Sequence, residues 1–204
     1  MNIAIDPQDI KKEKILESAY NRFLHYGYSK TTMNEIASDV SMSKALLYYY
    51  FPDKSQLYIA VMQKLADDYL KLIKSCSEFS SLEEAFTVQL TNKNEFILKN
   101  YNFFDFFRLN EQNLPDAIWE IIGQIHEAEI EQLANCINAE VKKGVIKPIA
   151  EPKAIVDLLL DALHGVRVST FSQKKMHFPK KDQLDEIHQK RLLLVKIFVK
   201  GLMA

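Results

Sequence analysis

Ser43, Lys44, Tyr48 and Tyr49 fall within seven consecutive residues of this 204-residue chain. A lysine ammonium donates to phosphate or to guanine, and serine and tyrosine hydroxyls donate to phosphate oxygens or base edges. Ala45, set among them, is small enough to allow close approach to a surface. This is the chemistry of nucleic-acid recognition. Thr32 precedes the group and Lys54 follows it. Lys54, at the start of a new helix, has the charge to neutralise a phosphate, assisted by the free amides of that helix end.

Sets that break or form covalent bonds are missing. The chain has no Gly-x-Ser-x-Gly elbow, no phosphate-binding glycine loop and no His-Glu-x-x-His. No catalytic residue and no cofactor is expected. His126 and Glu129 stand three apart, a spacing that can hold a metal, but two ligands are too few. Glu127, Glu129 and Glu131 read as a solvated face, and no metal is expected.

A second group is apolar. The run Tyr101-Asn102-Phe103-Phe104-Asp105-Phe106-Phe107-Arg108 is dense in aromatic rings. With Tyr69, Phe96 and Trp119 converging on it, Phe103, Phe104 and Phe107 would line an effector pocket. Asp105, Arg108, His126 and His164 would then supply its few polar groups. The competing reading is ordinary core packing.

Helices must position these residues. Ile15, Leu16, Ala19, Tyr20, Phe23 and Leu24 recur at spacings of three and four, and Gly27 closes that helix. Thr32-x-x-Glu35 is a capping box that opens a short helix with Ile36, Ala37 and Val40 on its apolar face. Ser41-Met42-Ser43 interrupts it. A third helix runs from there to Phe51, with Leu47 and Phe51 facing inward and Tyr48 and Tyr49 outward, and Pro52 stops it. Asp53 caps a fourth helix that reaches about Ser75. Further helices are read over 81–100, 101–110, 115–143, 152–174 and 181–202. Scarce glycine (5) and proline (6) and the lack of period-two alternation point the same way. The expected fold class is all-α with about nine helices. Residues 1–54 form a helix-turn-helix DNA-binding domain, and residues 55–204 a helical effector-binding and dimerisation domain.

Two short helices across a tight turn, packed on a preceding helix, make a helix-turn-helix. Its second helix lays its first residues in the major groove. Thr31-Thr32-Met33-x-x-Ile36-Ala37, followed by Ser43-Lys44-x-x-Leu47-Tyr48-Tyr49-Tyr50-Phe51-Pro52-x-Lys54, resembles the tetracycline-repressor (TetR) family of one-component regulators. The resemblance covers residues 10–57; beyond them it rests on length and helical pattern. It implies DNA contacts from Thr32, Ser43, Lys44, Ala45, Tyr48, Tyr49 and Lys54. It also implies a homodimer built as a four-helix bundle from the last two long helices of each subunit. The chain departs from the family pattern at Ser41, where the turn usually has glycine, and at Leu46, where a small polar residue is usual. A positive φ at Ser41 would be strained. Leu46 would trade a base contact for apolar contact with a thymine methyl.

The net charge is −1. Any DNA contact therefore depends on a local patch presented twice, not on a global field. Cys76 and Cys136 form no disulfide framework, no signal peptide opens the chain, and no apolar run approaches the roughly 18–20 residues of a membrane span. These features place the expected protein in the cytoplasm, away from membranes. The reading is a ligand-responsive transcriptional regulator, a repressor that binds a palindromic double-stranded DNA operator as a dimer and is released by an unknown small-molecule effector. The helix from Asp53 would couple effector to DNA. Two alternatives differ in what they require. An all-α enzyme needs a paired acid and base. An effector-independent DNA-binding protein would keep its melting temperature across a metabolite panel.

Overall fold

The computed structural model describes residues 7–75, 79–104, 106, 114–173 and 181–203. Among them lie eight helices and no strand: α1 (Pro7–Lys30), α2 (Met33–Asp39), α3 (Lys44–Tyr50), α4 (Lys54–Ser75), α5 (Leu82–Lys99), α6 (Asp116–Lys142), α7 (Pro152–Gln173) and α8 (Lys181–Met203). The all-α expectation holds, one helix short of nine. The helix expected over 101–110 falls largely outside the described residues, and its first four residues form turns.

Helix starts follow local chemistry. The Thr32 hydroxyl accepts the Glu35 amide (3.3 Å), while the Glu35 carboxylate accepts the Thr32 amide (2.9 Å). Ser43 caps α3 by accepting the Leu46 amide (3.2 Å), and Asp53 caps α4 by accepting that of Gln56 (2.8 Å). Pro152 opens α7, where a missing amide proton costs nothing.

Helix ends turn on three residues with positive φ. Gly27 (φ 77°, ψ 166°) breaks α1 in a region only glycine enters freely, and the chain then resumes one short turn. α6 ends at Gly144 (φ 74°): the Gly144 amide bonds the Val141 carbonyl and the Val145 amide bonds that of Glu140. α2 ends with the same pair of bonds, from Ser41 to Ser38 and from Met42 to Ala37, but the left-handed position is Ser41 (φ 52°).

The chain divides into two compact units. The first comprises Met1–Asp68 with Asn100–Ile121, the second Tyr69–Lys99 with Ile122–Ala204. In the first, Ile15, Ala19 and Phe23 of α1, Ile36 of α2, Leu47 of α3 and Leu57 of α4 are all fully buried. Its centre is aromatic: the Tyr58 ring stacks on Phe103 (4.4 Å between centroids) and Phe106 (4.2 Å), with Phe23 and Tyr28 edge-on to it. The Tyr58 hydroxyl donates to the Phe103 carbonyl (2.8 Å). The second unit packs Leu82, Phe86 and Leu90 of α5 against Leu133 and Ile137 of α6, Leu159 and Leu163 of α7, and Val195 and Val199 of α8. No described helix is long and apolar enough to cross a membrane.

Candidate nucleic-acid interface

Helix α3 is only seven residues long, so its two faces are set by a few side chains. Leu47 and Phe51, four apart, are buried and anchor it. Ser43, Lys44, Ala45, Tyr48 and Tyr49 are then left exposed on the opposite side, and Tyr49 is 74% exposed. Lys44 Nζ lies 5.6 Å from the centroid of the Tyr48 ring, and Tyr49 meets Tyr50 edge-on at 5.6 Å. The face therefore presents one ammonium, a serine hydroxyl and two phenol hydroxyls around a small central residue. It can donate to phosphates and base edges. It holds no acid–base pair for catalysis.

Thr32 and Lys54 flank this face in different conditions. Thr32 is exposed, and its hydroxyl also donates to Glu35 Oε2 (2.7 Å). The hydrogen bonds from Thr32 hold the Glu35 carboxyl below its ordinary range. Lys54 is half-buried. Its ammonium donates to the carbonyls of Tyr28 (2.8 Å) and Thr31 (2.9 Å) and sits 4.2 Å from the centroid of the Tyr28 ring. Burial pulls its pKa down. Lys54 thus ties the start of α4 to the end of α1 and is not a cation standing in solvent.

Arg22, absent from the sequence reading, positions the motif. It forms a bidentate pair with Asp39 (2.5 and 2.8 Å) and reaches Glu35 at 3.2 Å, so α1 grips α2 at both of its ends. No short-range signal marks it, because its partners lie 13 and 17 residues away in sequence.

The side chains expected to line a pocket belong to both units, and each is described within its own. Phe103 is buried in the first unit's aromatic core, with Phe104 edge-on to it (5.6 Å), and Trp119 is exposed. Phe107, Asp105 and Arg108 lie outside the described residues. In the second unit Tyr69 and Phe96 come together (5.0 Å between centroids). His126 pairs with Asp157 (2.8 Å), and His164 lies 3.1 Å from Arg167.

Glu129 corrects the reading of a solvated acidic face. Glu127 and Glu131 are exposed, but Glu129 is 1% exposed, hydrogen-bonded to Tyr69 (2.8 Å) and Lys93 (2.6 Å). Residues two apart on a helix point about 200° apart, so the three glutamates never shared a face. Both members of the His126–Glu129 spacing are thereby engaged with other partners, and no metal-binding group of three His, Cys, Asp or Glu occurs among the described residues. A cleft of about 440 Å³ in the second unit is lined elsewhere, by Ile73, Leu82, Gln132, Cys136 and Glu140 among others.

Residues 15–61 match the family model described as bacterial regulatory proteins, tetR family. The chain is 28% identical over 153 residues to the HTH-type transcriptional regulator RutR of Escherichia coli, covering 73% of this chain and 70% of RutR. Its fold is similar to a solved transcriptional regulator from Cytophaga hutchinsonii, with a TM-score of 0.83 and 26% identity, covering 95% of this chain and 99% of that one. It is similar in fold alone to FadR of Bacillus subtilis, solved in complex with stearoyl-CoA: TM-score 0.64, 15% identity, 93% and 98% covered.

Proposed function

We propose that this chain, whose residues 15–61 match the tetR family model, is a helix-turn-helix transcriptional regulator that represses transcription as a homodimer on a palindromic operator and is released by a small-molecule effector. The observation that carries the reading is the division of α3 into a buried anchor, Leu47 with Phe51, and an exposed donor face. In the proposal Ser43, Lys44, Ala45, Tyr48 and Tyr49 enter the major groove, Thr32 steadies the backbone at its edge, and Lys54 acts through the α1–α4 tie. Catalysis has no part in it, and its setting is the cytoplasm.

The dimer is supported by apolar surface on the last two helices. Leu193 and Ile197, four apart on α8, are each 60% exposed, and Leu158 on α7 is also exposed. Such a stripe needs a partner to leave water, and a second copy presents the same stripe around a two-fold axis. The effector role is supported by the similar FadR, whose structure holds stearoyl-CoA. Residues 55–204 would carry both roles.

Selection from random duplexes, followed by binding assays on the selected sequence, tests the reading. A palindromic site should emerge. Lys44→Ala and Tyr48→Ala should each reduce binding to that site at least about tenfold while the dimer stays intact. Unchanged affinity in both variants would overturn the assignment of this face.

A further inference from the structure

The cleft in the second unit belongs neither to the DNA-reading face nor to the expected aromatic pocket. Its volume of about 440 Å³ falls within the roughly 300–1,000 Å³ of small-molecule sites. The end of α4, the start of α5 and the second half of α6 enclose it, and all of its described lining lies in the second unit. Ile73, Leu82 and Ala85 give it an apolar lining, and each is buried. The Gln132 side chain donates to the Ile73 carbonyl (2.6 Å), which ties α6 to the end of α4 along the cleft.

One charged group is sunk into this apolar lining. Glu140 lines the cleft and is 8% exposed. Lys143 Nζ donates to its Oε1 (2.7 Å), and no described residue donates to its Oε2. That oxygen is left open to a donor entering the cleft. Cys136, one turn before Glu140, is a free thiol in the same lining. Burial, then the Glu140 carboxylate, pushes that thiol's pKa up. The other charges on the described lining are Lys74 and Lys143, both exposed. A cationic ligand would meet these two ammonium groups. An anionic one would meet a carboxylate already taken out of water, where a like charge costs most. An uncharged hydroxyl meets neither penalty and brings the donor that Glu140 Oε2 can accept.

We infer that this cleft binds an uncharged apolar molecule bearing a hydroxyl, such as an alkylphenol, with its body against Ile73, Leu82 and Ala85 and its hydroxyl donating to Glu140 Oε2. A hydrogen bond to an ionised acceptor is among the stronger ones, so Glu140 sets the polar specificity while the apolar lining sets the size. Ile73 belongs to α4 and Glu140 to α6, so one occupant touches both helices. The inference rests on the proposed effector role and names the chemical class of the effector.

Equilibrium dialysis against the full chain measures binding, and the rate at which N-ethylmaleimide alkylates Cys136, read on the peptide that carries it, locates the ligand. para-Ethylphenol should bind and should slow that alkylation. para-Ethylanisole, with the same body and no donor, and para-ethylbenzoate, an anion, should each bind at least about tenfold more weakly. Ala139 is exposed and lines the cleft, so Ala139→Trp fills it without entering the core and should abolish phenol binding. Glu140→Leu should weaken phenol binding at least about tenfold, and Glu140→Gln, which keeps an acceptor, should restore most of it. No phenol binding, binding that leaves Cys136 unprotected, equal affinity for the anisole or the benzoate, or binding that survives Ala139→Trp would each overturn the inference. Release from the selected duplex is scored separately. Phenol binding in the cleft without release would end the effector reading and leave the site standing; release by a ligand that does not protect Cys136 would do the reverse.

Discussion

Ser41 occupies a backbone position that Gly144 occupies at the end of α6, with the same pair of hydrogen bonds closing each helix. A serine Cβ in the left-handed region costs about 1–2 kcal/mol, which glycine does not incur. Ser41→Gly also gives the unfolded chain more freedom, worth about 0.4–1 kcal/mol in the opposite direction. The net expectation is a gain of about 0.5–1 kcal/mol, read as a higher urea midpoint with an unchanged slope. An unchanged or lower midpoint would mean that the hydroxyl contributes more than the turn costs. Residues of this kind were legible in sequence because their partners are local: Thr32 with Glu35, Ser43 with Leu46, and Leu47 with Phe51 span three or four positions. Lys54 was legible as a cation but not in its condition, since the carbonyls it holds lie 23 and 26 residues back. Glu129 was misread for a related reason, because its burial is decided by α4 and α5, 60 and 36 residues away.

At the scale of elements, α2 is seven residues long and cannot hold itself in place. Its capping box orders its start, its buried Met33, Ile36 and Ala37 face the core, and Arg22 fixes it to α1 through Asp39 and Glu35. A bidentate arginine–carboxylate pair within a small network is worth more than an isolated surface ion pair. Arg22→Ala should destabilise the protein by about 1 kcal/mol and weaken DNA binding more than its distance from α3 suggests, because α2 would tilt. A double-mutant cycle with Asp39→Ala checks this; fully additive effects would show that the pair contributes nothing. The helices themselves were readable from period and caps. The way residues 100–121 join the first unit was not, because the packing of Phe103 and Phe106 on Tyr58 spans more than forty positions and leaves no local pattern.

At the scale of the whole molecule, the proposed dimer depends on the exposed stripe of α8. A paired Leu193→Asp, Ile197→Asp variant should sediment as a monomer, keep its helical content, and lose at least about a hundredfold in affinity for a palindrome through lost bivalency. A variant that remains dimeric would move the interface elsewhere. The first unit has a different dependence, set by α4. Lys54 and Tyr58, four apart, hold three backbone carbonyls from distant segments: Lys54 those of Tyr28 and Thr31, Tyr58 that of Phe103. A head severed after residue 54 would leave Phe23 and Tyr28 without the ring they pack on. The DNA-reading end is therefore not a cassette that recombination can lift out of the amino-terminal stretch alone. A working chimera would have to take the segment around Phe103 and Phe106 with it, so two separate stretches of the gene must be inherited together.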